Sequence, residues 1–453
     1  MATTARTPRA ARDEAGGGLK RVIGRRMLLI FVIGDILGTG IYALVGEVAG
    51  EVGGAIWTSF AVAFALAFIT AFAYAELVTK YPHAAGAALY AHIAFKQPFF
   101  TFMVAFAVMA SGIASASAAA RAFGGDYLTT FVDLPVVLVA LLFVGLLAAI
   151  NFRGISESVK VNLGLTLIEL GGLLLIVVIG AMVLINGDGD PGRALEFKEG
   201  SSVPVAIMGG AALAFYALIG FEDSVNVAEE TRDPRRSFPQ ALFGGLLITA
   251  LVYFAVTFTA SLVVPTDRLA DSSGPLLEVV RAGPLSIPPR LFAGIALVAI
   301  TNTALINMIM ASRLTYGMGR QGVVPRVFAR VHPQRKTPWV GIAFTTLIAV
   351  ALVTTGEVET LADTTVVLLL AVFIVVNISV LVLRRDPVEQ DHFRAPTILP
   401  VVGVLVCVAL MTQQEGAIFA RAGILLLVGA ALYGINYLVA GRSPELDAKE
   451  LSK

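Results

Sequence analysis

Long apolar runs alternate with short polar connections from one end of this chain to the other. Crossing a bilayer takes a helix of about 20 mainly apolar residues. Twelve runs meet or approach that length: 27–49, 53–79, 98–122, 127–151, 160–186, 203–228, 238–264, 288–314, 338–354, 359–383, 395–412 and 418–440. The ninth and eleventh are the shortest. Two runs carry glycine interruptions where a helix would otherwise continue. One is Gly34-Asp35-Ile36-Leu37-Gly38-Thr39-Gly40-Ile41-Tyr42 in the first run, and the other is Phe215-Tyr216-Ala217-Leu218-Ile219-Gly220-Phe221-Glu222-Asp223 in the sixth. Backbone left unpaired at membrane depth is tolerated only where protein buries it or a cavity solvates it. The pattern predicts an all-α integral membrane protein of twelve transmembrane helices, with helices 1 and 6 discontinuous.

Charge sets the orientation. With the amino terminus inside, alternation of the runs puts 26 of the 33 Lys and Arg on the cytoplasmic side, the bias that orients membrane proteins. Both termini are therefore expected in the cytoplasm. Residues 1–26 hold Arg6, Arg9, Arg12, Asp13 and Glu14 among Ala and Gly, with no apolar core, and read as a disordered tail rather than a cleavable signal peptide. The runs divide into a first group of five (27–186), a second group of five (203–383), a final pair (395–440) and a cytoplasmic tail (441–453). Each five-run group opens on an interrupted run. Because five is odd, the second group repeats the first upside down, the arrangement of many secondary transporters, whose ligands bind at such paired interruptions.

Composition agrees and excludes alternatives. The chain is 57% hydrophobic and only 14% charged, against roughly 25% charged in a soluble domain. A net charge of +1 without a basic, aromatic-rich cluster gives no sign of nucleic acid binding. The one cysteine, Cys407, sits in an apolar run and precludes an intrachain disulfide. His83, His92, His332 and His392 share no helical face with other ligand residues at metal-binding spacing, so neither a metal nor another cofactor is expected. A membrane enzyme would need a nucleophile with a base, or a metal cluster. A channel would show a symmetric pore ring or filter.

The interruptions suggest a division of labour. Leaving helical geometry at Gly38, Thr39, Gly40 and Ile41 frees backbone N–H groups at the start of a second half-helix, a ready anion site. Carbonyls freed around Phe215, Tyr216, Ala217 and Leu218 sit at the end of a half-helix, where the dipole favours a cation. With Gly220 completing the break, Phe215, Tyr216 and Phe221 offer aromatic walls or a gate. The competing reading is close helix packing through small residues, with ordinary packing aromatics.

Gly38-Thr39-Gly40-Ile41-Tyr42 resembles the Gly-(Ser/Thr)-Gly-Ile-(Phe/Tyr) motif of the amino acid–polyamine–organocation superfamily. The sixth-run stretch, followed by Ala228-Glu229-Glu230-Thr231-Arg232-Asp233-Pro234, is similar to that superfamily's sixth helix and next loop. Tyr74-Ala75-Glu76-Leu77 with Tyr81-Pro82 and Gly86, and Ser312-Arg313-Leu314 with Gly319 to Pro325, resemble its second and eighth helices. The resemblance covers runs 1 to 10 and is nearest to bacterial relatives of the cationic amino acid transporters. It implies a LeuT-like 5+5 inverted repeat and an amino acid held by helix 1 amides and helix 6 carbonyls. It also implies alternating access, with a proton or sodium ion as coupling partner.

Charges inside apolar runs are costly and functional by default. Glu169 lies nine residues past Lys160, about 13 Å into run 5 at the helical rise. Part of the family has a lysine in this region that does the work of a bound sodium ion; this chain has Glu169 instead. A desolvated carboxylate there is suited to loading and releasing a proton, and a fixed structural contact is the equal alternative. Of the two carboxylates after the sixth-run break, Asp223 is expected to cap the second half-helix and Glu222 to act on a substrate or titrate. Thr301, Asn302 and Thr303 offer oxygens for sodium, or equally for helix–helix hydrogen bonds. Asp35 faces the cytoplasmic opening or pairs with an arginine. Glu229, Glu230, Arg232, Asp233, Arg235 and Arg236 form either solvated loop surface or an inner latch, with Glu76 as a candidate partner. The reading that results is a cell-membrane amino acid transporter, proton-coupled first. An amino acid or polyamine exchanger and a transporter-derived sensor are alternatives. Neither the specific substrate nor the oligomeric state follows from the sequence.

Overall fold

A computed structural model describes residues 23–83, 86–154, 159–228, 230–388 and 391–440, so residues 1–22 and 441–453 of the expected tails and Glu229 lie outside the described residues. Residues 23–26, expected in the first tail, are instead ordered, with Ile23 bridging to Thr231 and the first helix starting at Arg25. The described residues are helical apart from turns and one isolated bridge between Ile23 and Thr231. The first span is built from α1 (Arg25–Ile36), α2 (Thr39–Ala43) and α3 (Val45–Val52). It is followed by α4 (Ile56–Lys80), α5 (Gly86–Phe95), α6 (Pro98–Phe123), α7 (Asp126–Thr129), α8 (Val136–Arg153) and α9 (Val159–Asn186). The sixth span is α10 (Val203–Tyr216) followed by a 3₁₀ segment, Phe221–Val227. Then come α11 (Pro234–Val263), α12 (Thr266–Ala270), α13 (Pro275–Ala282), α14 (Pro289–Arg320), α15 (Trp339–Thr355), α16 (Val358–Leu383), α17 (Ile398–Met411) and α18 (Gly416–Ala440).

Ten of these elements, counting each interrupted span once, are long and apolar enough to cross a membrane. The two shortest expected runs became α15 and α17, of 17 and 14 residues. The short apolar helix α5 was not anticipated.

Three boundaries moved for local reasons. The fourth run was expected from 127, but its long helix starts at Val136 after Pro135, since proline pushes the residue before it out of helical geometry. The seventh starts at Pro234 rather than 238, with its first proline in the opening turn where no N–H is needed. The eighth continues past 314 to Arg320, its polar last turn still helical. Outside the bundle, α12 and α13 form an unforeseen cap over the end of the first span; the carbonyl of Leu269 lies so close to Gly46 that any side chain there would collide with it.

The interrupted spans lie at the centre. Leu28, Val32, Leu44, Val48, Phe215 and Leu218 are fully buried. By contrast, α8, α9 and α18 are mostly uncovered, presenting Leu142, Leu146, Leu167, Leu427 and Leu438 outward, as lipid-facing helices do. Tyrosines lock the first span to its neighbours: Tyr253 Oη donates to the Ile36 carbonyl at 3.0 Å, and Tyr127 Oη to the Tyr42 carbonyl at 2.7 Å. The Ile36 carbonyl, released where α1 ends, is thereby satisfied inside the protein, as backbone at this depth must be.

Candidate functional site

Helix α1 ends where Leu37 turns to extended geometry, and the chain passes through an extended Gly38 before α2 begins. Gly38 is glycine for reasons of space rather than torsion, because a β-carbon would lie 2.3 Å from the Thr303 hydroxyl on α14. That hydroxyl fills the notch. It accepts from the Thr39 N–H at 3.2 Å and donates to the Ala299 carbonyl at 3.2 Å. Among the described residues, no backbone carbonyl accepts from the amides of Gly38, Gly40 or Ile41. These are the orphan donors that a helix start leaves behind.

The sixth-span break is a tight turn over 217–220. The Phe215 and Tyr216 carbonyls accept from the Leu218 and Ile219 amides at 3.0 and 3.3 Å. Among the described residues, no backbone amide donates to the carbonyls of Ala217, Leu218 or Ile219. The free acceptors therefore match the expected set at Ala217 and Leu218 and extend it by one residue to Ile219, whereas the Phe215 and Tyr216 carbonyls are taken. Gly220 closes the turn at φ 128°, a region that side chains disfavour, and a β-carbon there would lie 2.3 Å from the Asp35 carbonyl oxygen. The two breaks are thus in backbone contact, free amides on one and free carbonyls on the other.

Between them lies a cleft whose empty space, open solvent included, is ≈ 530 Å³. It brings together Gly38, Thr39, Gly40, Tyr216, Ala217, Gly220, Asp223, Asn302 and Asp35 from the expected residues. It does not include Ile41, Phe215, Leu218 or Phe221. Phe215 and Phe221 are fully buried and pack edgewise or tilted on Phe373, with Phe221 also against Tyr74. They buttress the break, and neither lines the cleft as a wall or gate; Tyr216 does, its hydroxyl 3.1 Å from Ser115 Oγ. Thr301 turns away and donates to the Leu297 carbonyl of its own helix at 2.7 Å. The sequence reading passed over Ser115 and Asn307, which also line the cleft; the serine spacing Ser111, Ser115, Ser117 in α6 was the available signal.

The two carboxylates are placed the other way round from the expectation. Glu222 folds back so that Oε2 accepts the Gly220 N–H at 2.9 Å, capping the 3₁₀ segment. Asp223, about a third of a turn further round, lines the cleft, with Oδ1 accepting from Asn226 Nδ2 at 3.3 Å. The longer side chain reaches back to the break, and the shorter one cannot.

Glu169 on α9 is wholly buried and lines no cavity described here. Its Oε1 accepts from Asn302 Nδ2 at 3.3 Å, while Oε2 has no hydrogen-bond partner among the described residues. Tyr42 Oη donates to the Glu169 carbonyl at 3.0 Å. Asn302, which also lines the cleft, stands between this carboxylate and the site.

Glu76 near the end of α4 meets Arg384 at the end of α16, not the cluster of 230–236. Arg384 Nε and Nη2 fork onto the two Glu76 oxygens at 2.9 and 2.7 Å, and the Ala395 N–H donates to Oε2 at 2.8 Å. The pair is nearly enclosed, at 11% and 2% side-chain exposure. Arg236 and Asp233 are 4.0 Å apart and well exposed, so theirs is a solvated surface contact. The loop is instead pinned through backbone: Ile23 N–H donates to the Glu230 carbonyl, and Arg232 N–H to that of Ile23.

Comparison with known proteins adds an independent line. A sequence model described as amino acid permease matches residues 23–430. The chain is 25% identical to the branched-chain amino acid permease BcaP of Bacillus subtilis, covering 92% of each chain. It is equally identical to the methylthioribose transporter of the same organism, covering 92% of this chain and 93% of the other. It is 28% identical to the low-affinity putrescine importer PlaP of Escherichia coli, over 78% of this chain and 81% of that one. Relatives of similar likeness thus carry quite different solutes by name.

Proposed function

The chain belongs to the amino acid permease family of the amino acid–polyamine–organocation superfamily, and on that premise we propose that it is a secondary active transporter carrying amino acids across the cell membrane. The observation that carries this reading is the pair of mid-span interruptions lying in backbone contact, unfilled amides facing the cleft from one and unfilled carbonyls from the other. An α-carboxylate takes the amides of Gly38 and Gly40, which line the cleft, and the positive end of the half-helix. An α-ammonium takes the cleft-lining carbonyls of Ala217 and Ile219 at the negative end of α10. Neither contact uses a side chain, so the same grip serves any amino acid and leaves selectivity to the cleft walls.

The helices of 27–186 and 203–383 act as inverted five-helix repeats that rock about this site, with α17 and α18 outside the repeat and both termini cytoplasmic. The buried Glu76–Arg384 pair holds the cytoplasmic ends of α4 and α16 together, and serves as the inner latch.

Coupling is to protons, through Glu169. An unpaired buried charge is costly, and a proton neutralises the carboxylate whose Oε2 has no partner among the described residues. Asn302 relays the change to the cleft. The Thr303 hydroxyl is already committed to Thr39 and Ala299.

Counterflow tests the reading. Purified protein in liposomes loaded with an unlabelled amino acid takes up the labelled form of at least one amino acid. Absence of exchange for all twenty overturns it.

A further inference from the structure

A second chamber adjoins the cleft, sharing Ser115, Ile219, Asp223 and Asn307 with it and bounded further on by Glu222 and Thr365. Asp223 is the carboxylate common to both spaces. It stands three residues past Gly220 on the 3₁₀ segment, about 6 Å along its axis at that helix's rise. A three- or four-carbon stem, starting from an α-carbon at the break, bridges such a span.

The chamber sets two carboxyl groups side by side, Glu222 and Asp223. Among the described residues, neither Glu222 nor Asp223 has a Lys, Arg or His within ion-pair distance. Glu222 spends one oxygen on the Gly220 N–H, while Asp223 accepts only from Asn226 through Oδ1. Carboxylates at this depth are costly unless a cation meets them, and the described residues supply none there. Around them the wall is mostly apolar, with Ser111, Ser115, Thr365 and Asn307 set into it, whose side-chain oxygens can accept hydrogen bonds from an ammonium or guanidinium. A neutral side chain would leave the charge unmet. A diamine would meet it but leave the helix-start amides of the first span without an anion.

We propose that this chamber receives the side chain of a basic α-amino acid, its terminal ammonium or guanidinium seated against Asp223. The inference rests on the transporter reading above and adds the substrate class.

The test uses the purified full chain, by thermal shift and by counterflow in liposomes, with lysine, arginine, norleucine (lysine's length without its charge) and putrescine. Wild type binds lysine or arginine at least tenfold more tightly than norleucine and putrescine. Asp223→Asn cuts the lysine-to-norleucine affinity ratio at least tenfold, and Asp223→Glu restores part of it. Equal affinity of wild type for lysine and norleucine overturns the inference, and that result does not depend on any variant folding. So does an unchanged ratio in Asp223→Asn, or a preference for putrescine. Exchange of leucine without lysine sinks this inference alone; no exchange of any amino acid sinks the transporter reading with it.

Discussion

Gly40 of the first span rests against Ala217 of the sixth so closely that a β-carbon on the glycine would stand 2.4 Å from the alanine Cα. The two broken helices therefore meet at the point where each lacks internal hydrogen bonds. A side chain at position 40 must push them apart. Overpacking of this kind costs roughly 1–3 kcal/mol, and each 1.4 kcal/mol is about tenfold in affinity. Gly40→Ala is expected to weaken substrate binding by about five- to a hundredfold in a titration of purified protein. Unchanged affinity would mean that the contact does not shape the site.

Thr303→Val keeps the shape that fills the notch at Gly38 but removes the acceptor of the Thr39 N–H. Stranding a buried donor costs about 1–3 kcal/mol. The variant is expected to melt at lower temperature and to bind substrate more weakly, whereas Thr303→Ser, which keeps the hydroxyl, stays close to wild type. Equal losses in the two would point to packing instead of the hydrogen bond.

Glu169→Gln retains size and the Asn302 contact yet cannot be ionised. Uptake against a gradient, driven by acid outside, is expected to vanish in liposomes, while exchange at zero gradient persists. Accumulation that survives in this variant removes Glu169 from coupling and leaves it as a structural contact.

Arg384→Gln leaves Glu76 nearly enclosed without its partner. Breaking a buried pair from one side costs about 3–5 kcal/mol, which for a chain of this size lowers the melting midpoint by roughly 3–5 °C. Adding Glu76→Gln removes the stranded charge and is expected to recover most of that loss. If the pair is also a latch, the double variant exchanges substrate with altered kinetics although its stability returns. Wild-type kinetics in that double variant would make the pair structural only.

Features that depend on local physics were legible in the sequence. The apolar runs marked the spans, and Gly38, Gly40 and Gly220 marked the breaks, because membrane helices and their interruptions depend on short stretches. What could not be read depends on rotation and distance. Thr301 and Thr303 differ by two positions, about 200° around a helix, and only packing decides that the second faces Gly38. Glu76 and Arg384 are 308 residues apart, and nothing in either neighbourhood names the other. The reversed placement of Glu222 and Asp223 turned on side-chain length at a 3₁₀ turn, a geometry that a sequence read as plain helix does not reveal. Pro135 delayed the fourth long helix for a local reason that was visible and given too little weight.

The grip on both charged ends of a zwitterion is tested most directly by calorimetric titration of the purified protein with three ligands. These are the amino acid that exchanges best in counterflow, its decarboxylated amine, and its counterpart lacking the α-amino group. Loss of either group removes one of the two helix-end contacts, so each truncated ligand is expected to bind at least a hundredfold more weakly than the parent. An amine or an acid that binds as tightly as the intact amino acid would contradict the account.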